Sequence, residues 1–253
     1  MGRILAIANQ KGGVGKTTTC VNLAAALNEK GKKVLLCDID PQGNSTSGFG
    51  VDKKTQNTSY ELILGAANTQ DAIVHTPYGD VIPANKSLSG AEIELVSLEG
   101  REYRLKNAIQ KLKDEYDYIL IDCPPSLGLL TINALCASDA VLIPVQCEYY
   151  ALEGLSDLIY TIRVVKKGLN RDLEIDGILL TMFDSRTNLS IQVADEVKRH
   201  FPGKIYSAVI PRNVRLSEAP SHGRPVLAYD PASRGADSYL KLAEEIIEAG
   251  GRK

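Results

Sequence analysis

The sequence lacks any run of about eighteen uncharged apolar residues, so no membrane-spanning helix is expected. It also lacks a CxxC pair, and its five cysteines (Cys20, Cys37, Cys123, Cys136 and Cys147) are an odd number. That pattern argues against a disulfide framework or a zinc site and reads as reduced thiols used as small core residues. No internal repeat and no Pro/Gly/Ser-rich linker divides the 253 residues, so one domain over 1–253 is expected. Charge of one sign is not in excess: 29 Lys and Arg stand against 31 Asp and Glu, which argues against a general polyanion binder. The opening Met1-Gly2-Arg3-Ile4-Leu5 leads straight into a loop motif, so no cleaved leader is expected. Ala6 stands where acylation at Gly2 would want Ser or Thr.

What is present is an ordinary globular composition, 44% hydrophobic and 24% charged. The charge is unevenly placed. Residues 38–100 carry nine acidic and three basic side chains, while 197–224 carry six basic side chains against Glu218 alone. A local basic region can bind phosphate backbones despite a near-neutral total.

Short apolar runs alternate with longer amphipathic stretches. Residues 3–8, 33–37, 118–122, 140–145, 177–182 and 208–210 read as buried strands; 16–30, 102–115, 152–167, 191–200 and 233–249 read as helices. Such alternation predicts an α/β fold, a mostly parallel, doubly wound sheet with helices on both faces. Ligands of such sheets sit beyond the carboxyl ends of the strands. The Gly-, Ser-, Asn- and Thr-rich stretch 42–58 reads as a mobile surface loop.

The central motif is Asn9-Gln10-Lys11-Gly12-Gly13-Val14-Gly15-Lys16-Thr17-Thr18, between the first strand and the first helix. This is the context of a phosphate-binding loop. Its glycines let backbone N–H groups turn inward, and the helix amino end favours an anion. Lys16 is placed to reach the β- and γ-phosphates of ATP and Thr17 to bind Mg²⁺. One departure stands out: Gln10 occupies the position of the usual first glycine, and an extra Lys11 precedes Gly12.

Two further strands end in carboxylates. Residues 33–37 run into Asp38-Ile39-Asp40-Pro41-Gln42-Gly43-Asn44, with Asp38 and Asp40 on one face by alternation. Tyr118–Asp122 has the form of a Walker B strand, with Asp122 directed at Mg²⁺ through water, followed by Cys123-Pro124-Pro125-Ser126-Leu127-Gly128.

The loop KGGxGKT resembles the deviant Walker A motif of the ParA/MinD ATPase family. Within that family the chain resembles the small chromosomal ParA proteins. That likeness rests on Asn85-Lys86, Ala91–Leu95, Gln146–Gly154, Arg186-Thr187-Asn188 and Arg215–Ser221, and runs nearly end to end. The resemblance implies an ATP-dependent homodimer in which Lys11 reaches the partner's nucleotide; otherwise Lys11 is a solvated loop lysine. It implies that Asp40 positions or polarises the attacking water and that Asp38 lies nearer the metal, unless either only caps its loop. It places Pro211 and Asn213 at adenine, with Arg212 the lesser candidate. Glu148 becomes a contact to the partner's nucleotide or a helix-start carboxylate. Arg186 and Arg215 become DNA contacts, with Lys198, Arg199 and Arg224 secondary. The implied function is chromosome partitioning: the ATP-bound dimer binds double-stranded DNA without sequence preference. A ParB-type centromere-binding partner then stimulates hydrolysis and release. A cytoplasmic, nucleoid-associated location follows.

Three rivals are weighed. A membrane-bound MinD-like ATPase needs a basic amphipathic C-terminal helix, whereas residues 240–253 present an acidic polar face. An iron–sulfur reductase is disfavoured by the surroundings of Cys123 and Cys136. A dethiobiotin-synthetase-like ligase would share the nucleotide loop but require a metabolite. An N-terminal helix-turn-helix, found in larger plasmid ParA proteins, is not expected.

Overall fold

The computed structural model describes residues 2–148 and 151–250, the side chains of 151 and 153 excepted. Tyr149, Tyr150 and the terminal Gly251-Arg252-Lys253, which the sequence motifs include, lie outside the described residues.

Seven strands form one sheet: β1 (Arg3–Ile7), β2 (Val34–Asp38), β3 (Val74–Thr76), β4 (Gly79–Ile82), β5 (Tyr118–Asp122), β6 (Ala140–Gln146) and β7 (Glu174–Thr181). Their order is β3-β4-β2-β5-β1-β6-β7, parallel throughout except that β3 pairs antiparallel with β4. The helices in chain order are α1 (Lys16–Glu29), α2 (Asn44–Gly48), α3 (Ser59–Leu64), α4 (Leu88–Leu95), α5 (Arg104–Ile109) and α6 (Leu129–Ala137). They continue with α7 (Ala151–Gly168), α8 (Asn188–His200), α9 (Val214–Glu218), α10 (Val226–Tyr229) and α11 (Arg234–Gly250).

The inner strands are apolar on both faces because both are covered. Leu5, Ile7, Leu36 and Leu120 pack with Leu23 and Leu27 of α1 and Leu242 and Ile246 of α11. Ile4, Ala6, Leu35, Ile119 and Ile121 face the opposite core, with Leu95, Leu105, Leu130, Leu155 and Val197 from α4 to α8. Alternation therefore turns Asp38 and Asp122, each two residues past a leucine of the first core, toward α1. The β2–β5 register sets them side by side. All five cysteines are free and buried, as their apolar settings suggested.

Three sequence expectations need correction. The segment 42–58 is not a loose loop: it contains α2, buries Ser45, Thr46 and Phe49, and stacks Phe49 edge-on against Tyr78 at 6.1 Å between ring centroids. Residues 208–210 form no strand. The Glu245 carboxylate takes the Ser207 and Ala208 amides (2.9 and 3.1 Å), and Pro211 has no N–H. The Ile210 amide donates to the Leu180 carbonyl (2.9 Å) and its carbonyl accepts from the Phe183 amide (3.1 Å), and the isolated bridge of Phe183 with Pro211 lies beside them, too short a pairing to make a strand. The expected helix 102–115 is α only over Arg104–Ile109, with tight 3₁₀ turns on either side.

Candidate nucleotide site

The loop after β1 is held by hydrogen bonds at both ends. The buried Asn9 amide donates to the Pro144 carbonyl (2.7 Å), and its Oδ1 accepts from the Lys11 amide (3.0 Å). Thr181 at the end of β7 donates from its hydroxyl to the Val14 carbonyl (2.8 Å), pinning the far side. Gly15 has φ 91°, a left-handed conformation that lets the chain enter α1 directly. Gly12 and Gly13 are exposed, and a Cβ at either would meet nothing within 4 Å.

Lys16 is buried, and its ammonium donates to the Lys11 carbonyl (2.8 Å), a bond internal to the loop. Burial pushes its pKa down, while Asp122 pulls the other way. The Lys11 side chain lies along the start of α7: a Cβ at Gly154 would stand 2.9 Å from Lys11 Cε. Only a glycine there gives the lysine this path.

At the carboxyl ends of β2 and β5 the two acids differ in partnership. Asp38 is fully engaged. Its Oδ2 accepts from the Thr46 amide (2.9 Å) and hydroxyl (2.7 Å), and its Oδ1 from the Asp40 amide (3.1 Å). Both carboxylate oxygens of Asp122 are buried with no hydrogen-bond partner. Burial, and the charge of Asp38, push the Asp122 carboxyl up; the nearby Thr17 hydroxyl opposes this. Burial likewise raises Asp38, against the Thr46 hydrogen bonds. An orphaned buried carboxylate facing a helix-start threonine fits a hydrated cation, which would supply the missing donors. Among the described residues no group of three or more His, Cys, Asp or Glu is placed to hold a metal ion. Asp40 sits just beyond, nearly buried, accepting from the Gln42 amide (2.9 Å).

A cleft of about 320 Å³ opens from Gly15 and Thr18 to Met182, Pro211, Asn213 and Tyr239. Pro211 and Asn213 thus line one cleft with Gly15 and Thr18 of the phosphate loop. Asn213 Oδ1 is spent capping α9, accepting from the amides of Arg215 and Leu216 (2.8 and 3.4 Å). Its side-chain NH₂ is the group left to read a base edge. Arg212 also lines the cleft, and it reaches Glu148 at 3.8 Å, which places the exposed Glu148 near the rim.

The two arginines singled out for DNA are exposed but already paired. Arg186 forks onto Asp184, Nε–Oδ1 2.9 Å and Nη2–Oδ2 2.7 Å, holding that carboxyl at about 2. Arg215 meets Glu218 at 2.8 Å and Asp230 at 3.1 Å. The bridge from Phe183 to Pro211 sets their two loops side by side, at the same edge as the cleft. Sequence reasoning passed over Thr46, which holds Asp38, and Thr181, Met182 and Tyr239, which wall the cleft. The Ser-Thr pair after Gly43-Asn44 was the one local hint.

With the geometry in hand, comparison with known proteins is decisive. A family model described as an AAA domain matches residues 2–175. The chain is 62% identical over 253 residues to the sporulation initiation inhibitor protein Soj of Bacillus subtilis (strain 168), covering 99% of this chain and 100% of that one. The chain belongs to the ParA/MinD family of P-loop ATPases. It is 55% identical over 251 residues to the chromosome partitioning protein ParA of Myxococcus xanthus, covering 98% of this chain and 89% of that protein. Among solved structures, cobyrinic acid a,c-diamide synthase from Mycobacterium smegmatis with bound ADP and magnesium aligns at a TM-score of 0.88 and 40% identity, covering 99% of this chain and 96% of that one. Among the described residues no helix is long and apolar enough to cross a membrane.

Proposed function

We propose that this ATPase is a chromosome-partitioning switch. In this reading its ATP-bound homodimer holds duplex DNA without sequence preference and lets go after hydrolysis prompted by a ParB-type partner. The observation that carries the reading is the phosphate loop held by Asn9 and Thr181, with a second lysine, Lys11, in it and the buried Asp122 carboxylate, whose oxygens lack a normal hydrogen bond, at the end of the neighbouring β5. ATP and Mg²⁺ are the ligands such a site takes. Lys16 would donate to phosphate oxygens in place of the Lys11 carbonyl, and Thr17 and Asp122 would hold the metal. Magnesium supplies neutralisation of phosphate charge. Asp38, held by Thr46, keeps Asp122 company and fixes the loop from which Asp40 aligns the attacking water.

Lys11 lies on the exposed side of the loop and serves the partner's nucleotide, so that ATP ties two subunits together. Two weak basic edges on one rigid dimer then bind DNA far more tightly than one, by effective concentration. Loss of the γ-phosphate removes that tie. Glu148, at the rim, faces the same partner, and Arg186 and Arg215 are the DNA contacts. A nucleoid-associated location follows from that binding.

The test is self-association by light scattering. The Asp40→Ala variant should form a lasting dimer with ATP and none with ADP, and Lys11→Ala should stay monomeric with either. A Lys11→Ala dimer as stable as that of Asp40→Ala would refute the shared-nucleotide interface. A biosynthetic ligase reading, prompted by the synthase of similar fold, predicts instead turnover that needs a small carboxylate substrate and ignores DNA.

A further inference from the structure

Buried polar side-chain atoms in native proteins nearly always have partners, so each exception points to a missing one. The described residues contain five such atoms, and three of them belong to Ser45 and Asp122. These two residues are distant in sequence but meet through Asp38. Asp38 is the register neighbour of Asp122 across β2 and β5, and Thr46, next to Ser45, donates to it twice. Ser45 is wholly inaccessible to solvent, on the first turn of α2. Its hydroxyl lies beside both carboxylates, where it favours their charged forms, yet makes no hydrogen bond of normal geometry. A side chain kept for packing alone would cost less as alanine, because a buried hydroxyl without a partner is destabilising.

We infer that Ser45 is a positioning residue for the hydrated metal: its Oγ and the Asp122 carboxylate are the two acceptors for water carried by the cation. A cation-bound water is a strong donor of two protons, and these two residues offer unused acceptors in one buried place. Thr17 lies on the phosphate loop and Asp38 already accepts three hydrogen bonds from Thr46 and Asp40, which leaves Ser45 the acceptor without a partner. Ser45 thereby ties α2 to metal occupancy, a connection that the phosphate loop alone does not make. The inference rests on the nucleotide and metal reading of the site.

The test compares wild type, Ser45→Ala and Ser45→Cys by thermal melting, in EDTA and across a Mg²⁺ titration, with and without a non-hydrolysable ATP analogue. Without metal or nucleotide, Ser45→Ala should melt at or slightly above wild type, because an unpaired hydroxyl has gone. The analogue in EDTA should stabilise both equally. The Mg²⁺ midpoint with analogue present should rise about tenfold in Ser45→Ala, the scale expected when a group orienting a metal's ligands is lost. Ser45→Cys, close in size but a poor hydrogen-bonding group, should shift in the same direction and carries the test should the alanine variant not fold. An unchanged Mg²⁺ midpoint in the folded variants, or a metal-free melting point well below wild type with the midpoint intact, would overturn the inference and leave Ser45 a packing residue. If wild type itself gains nothing from the analogue with Mg²⁺ present, the nucleotide-site reading fails first and this inference with it.

Discussion

At the scale of single residues, the site is governed by which groups have partners. Asp122 has none, and the sign of its pKa shift sets a pH dependence. A carboxyl whose folded pKa is raised binds its proton more tightly in the folded state. The stability it confers is full below the ordinary carboxylate range and is lost as pH rises through the folded value. Metal-free Asp122→Asn should therefore match wild type in acid and exceed it in melting temperature above neutrality, by about 1–3 kcal/mol or a few degrees. With Mg²⁺ and ATP the order should reverse, since the amide holds cation water poorly. A melting difference that does not change with pH would contradict this. Arg186 gives a second residue-scale prediction. Its exposed ion pair with Asp184 is screened by solvent, so a DNA phosphate can displace it. Removing the competing carboxylate in Asp184→Asn should tighten binding of random duplex severalfold, whereas Arg186→Ala should weaken it. Weaker binding by Asp184→Asn would show that Asp184 serves only to hold the loop. Lys16→Ala should lower hydrolysis by about a hundredfold or more, read as phosphate release, since it removes a fixed positive charge from the phosphates.

These residues were legible in the sequence to different degrees, for physical reasons. Lys11, Lys16 and Thr17 sit in a contiguous motif whose spacing states its chemistry. Asp38, Asp40 and Asp122 were marked by strand runs ending in acid. Their unequal partnership was not, because it depends on Thr46 and on a register between strands far apart in the chain. The parallel sheet followed from alternating apolar and amphipathic stretches. The β3–β4 hairpin did not, since its strands are short and lie at the edge. The segment 42–58 misled because Gly, Ser and Asn favour turns in general, while here Thr46 and Phe49 anchor it to β2 and Tyr78. The stretch 208–210 misled because its strand-like pattern is real, but Glu245 of α11 claims the Ser207 and Ala208 amides, and the pairing with β7 is confined to Ile210 and its neighbour Pro211.

At the scale of elements, α2 stands between the metal site and the basic region. Its Gly48 packs against Val21 of α1, and the turn after it brings Gly50 against Gly223, where a Cβ would stand 3.0 Å from Gly50 Cα. Gly223 has φ 61°, so alanine there is both strained and too close. A second cleft, of about 410 Å³, runs along this contact from Thr17 and Asn44 to Ser221 and Arg224. The segment 219–224 continues from α9, which carries Arg215. Gly223→Ala should cost about 1 kcal/mol of stability and leave ATP affinity within twofold, while lowering ATP-dependent DNA affinity roughly tenfold or more. Equal reductions in ATP and DNA binding, measured on one preparation, would mean that the contact is only structural.

At the scale of the whole molecule, the chain is nearly neutral, yet six of its basic side chains fall within 197–224 and nine acidic ones within 38–100. On the proposed reading, a near-neutral monomer with one basic segment is a poor DNA ligand, a dimer that doubles it is a good one, and the dimer's affinity should fall steeply with salt. Removing one cation that neutralises a DNA phosphate should flatten the slope of log affinity against log salt by about 0.9, so Arg215→Ala should flatten it by nearly 2 in a symmetric dimer. The measurement that reaches the central claim most directly is the affinity of wild type and Asp40→Ala for random-sequence duplex DNA, with ATP and with ADP, over a salt series. The account predicts tight, salt-sensitive binding with ATP, little with ADP, and binding by Asp40→Ala that persists as long as ATP is present. Equal affinity with ATP and ADP, or none in any nucleotide state, would contradict it.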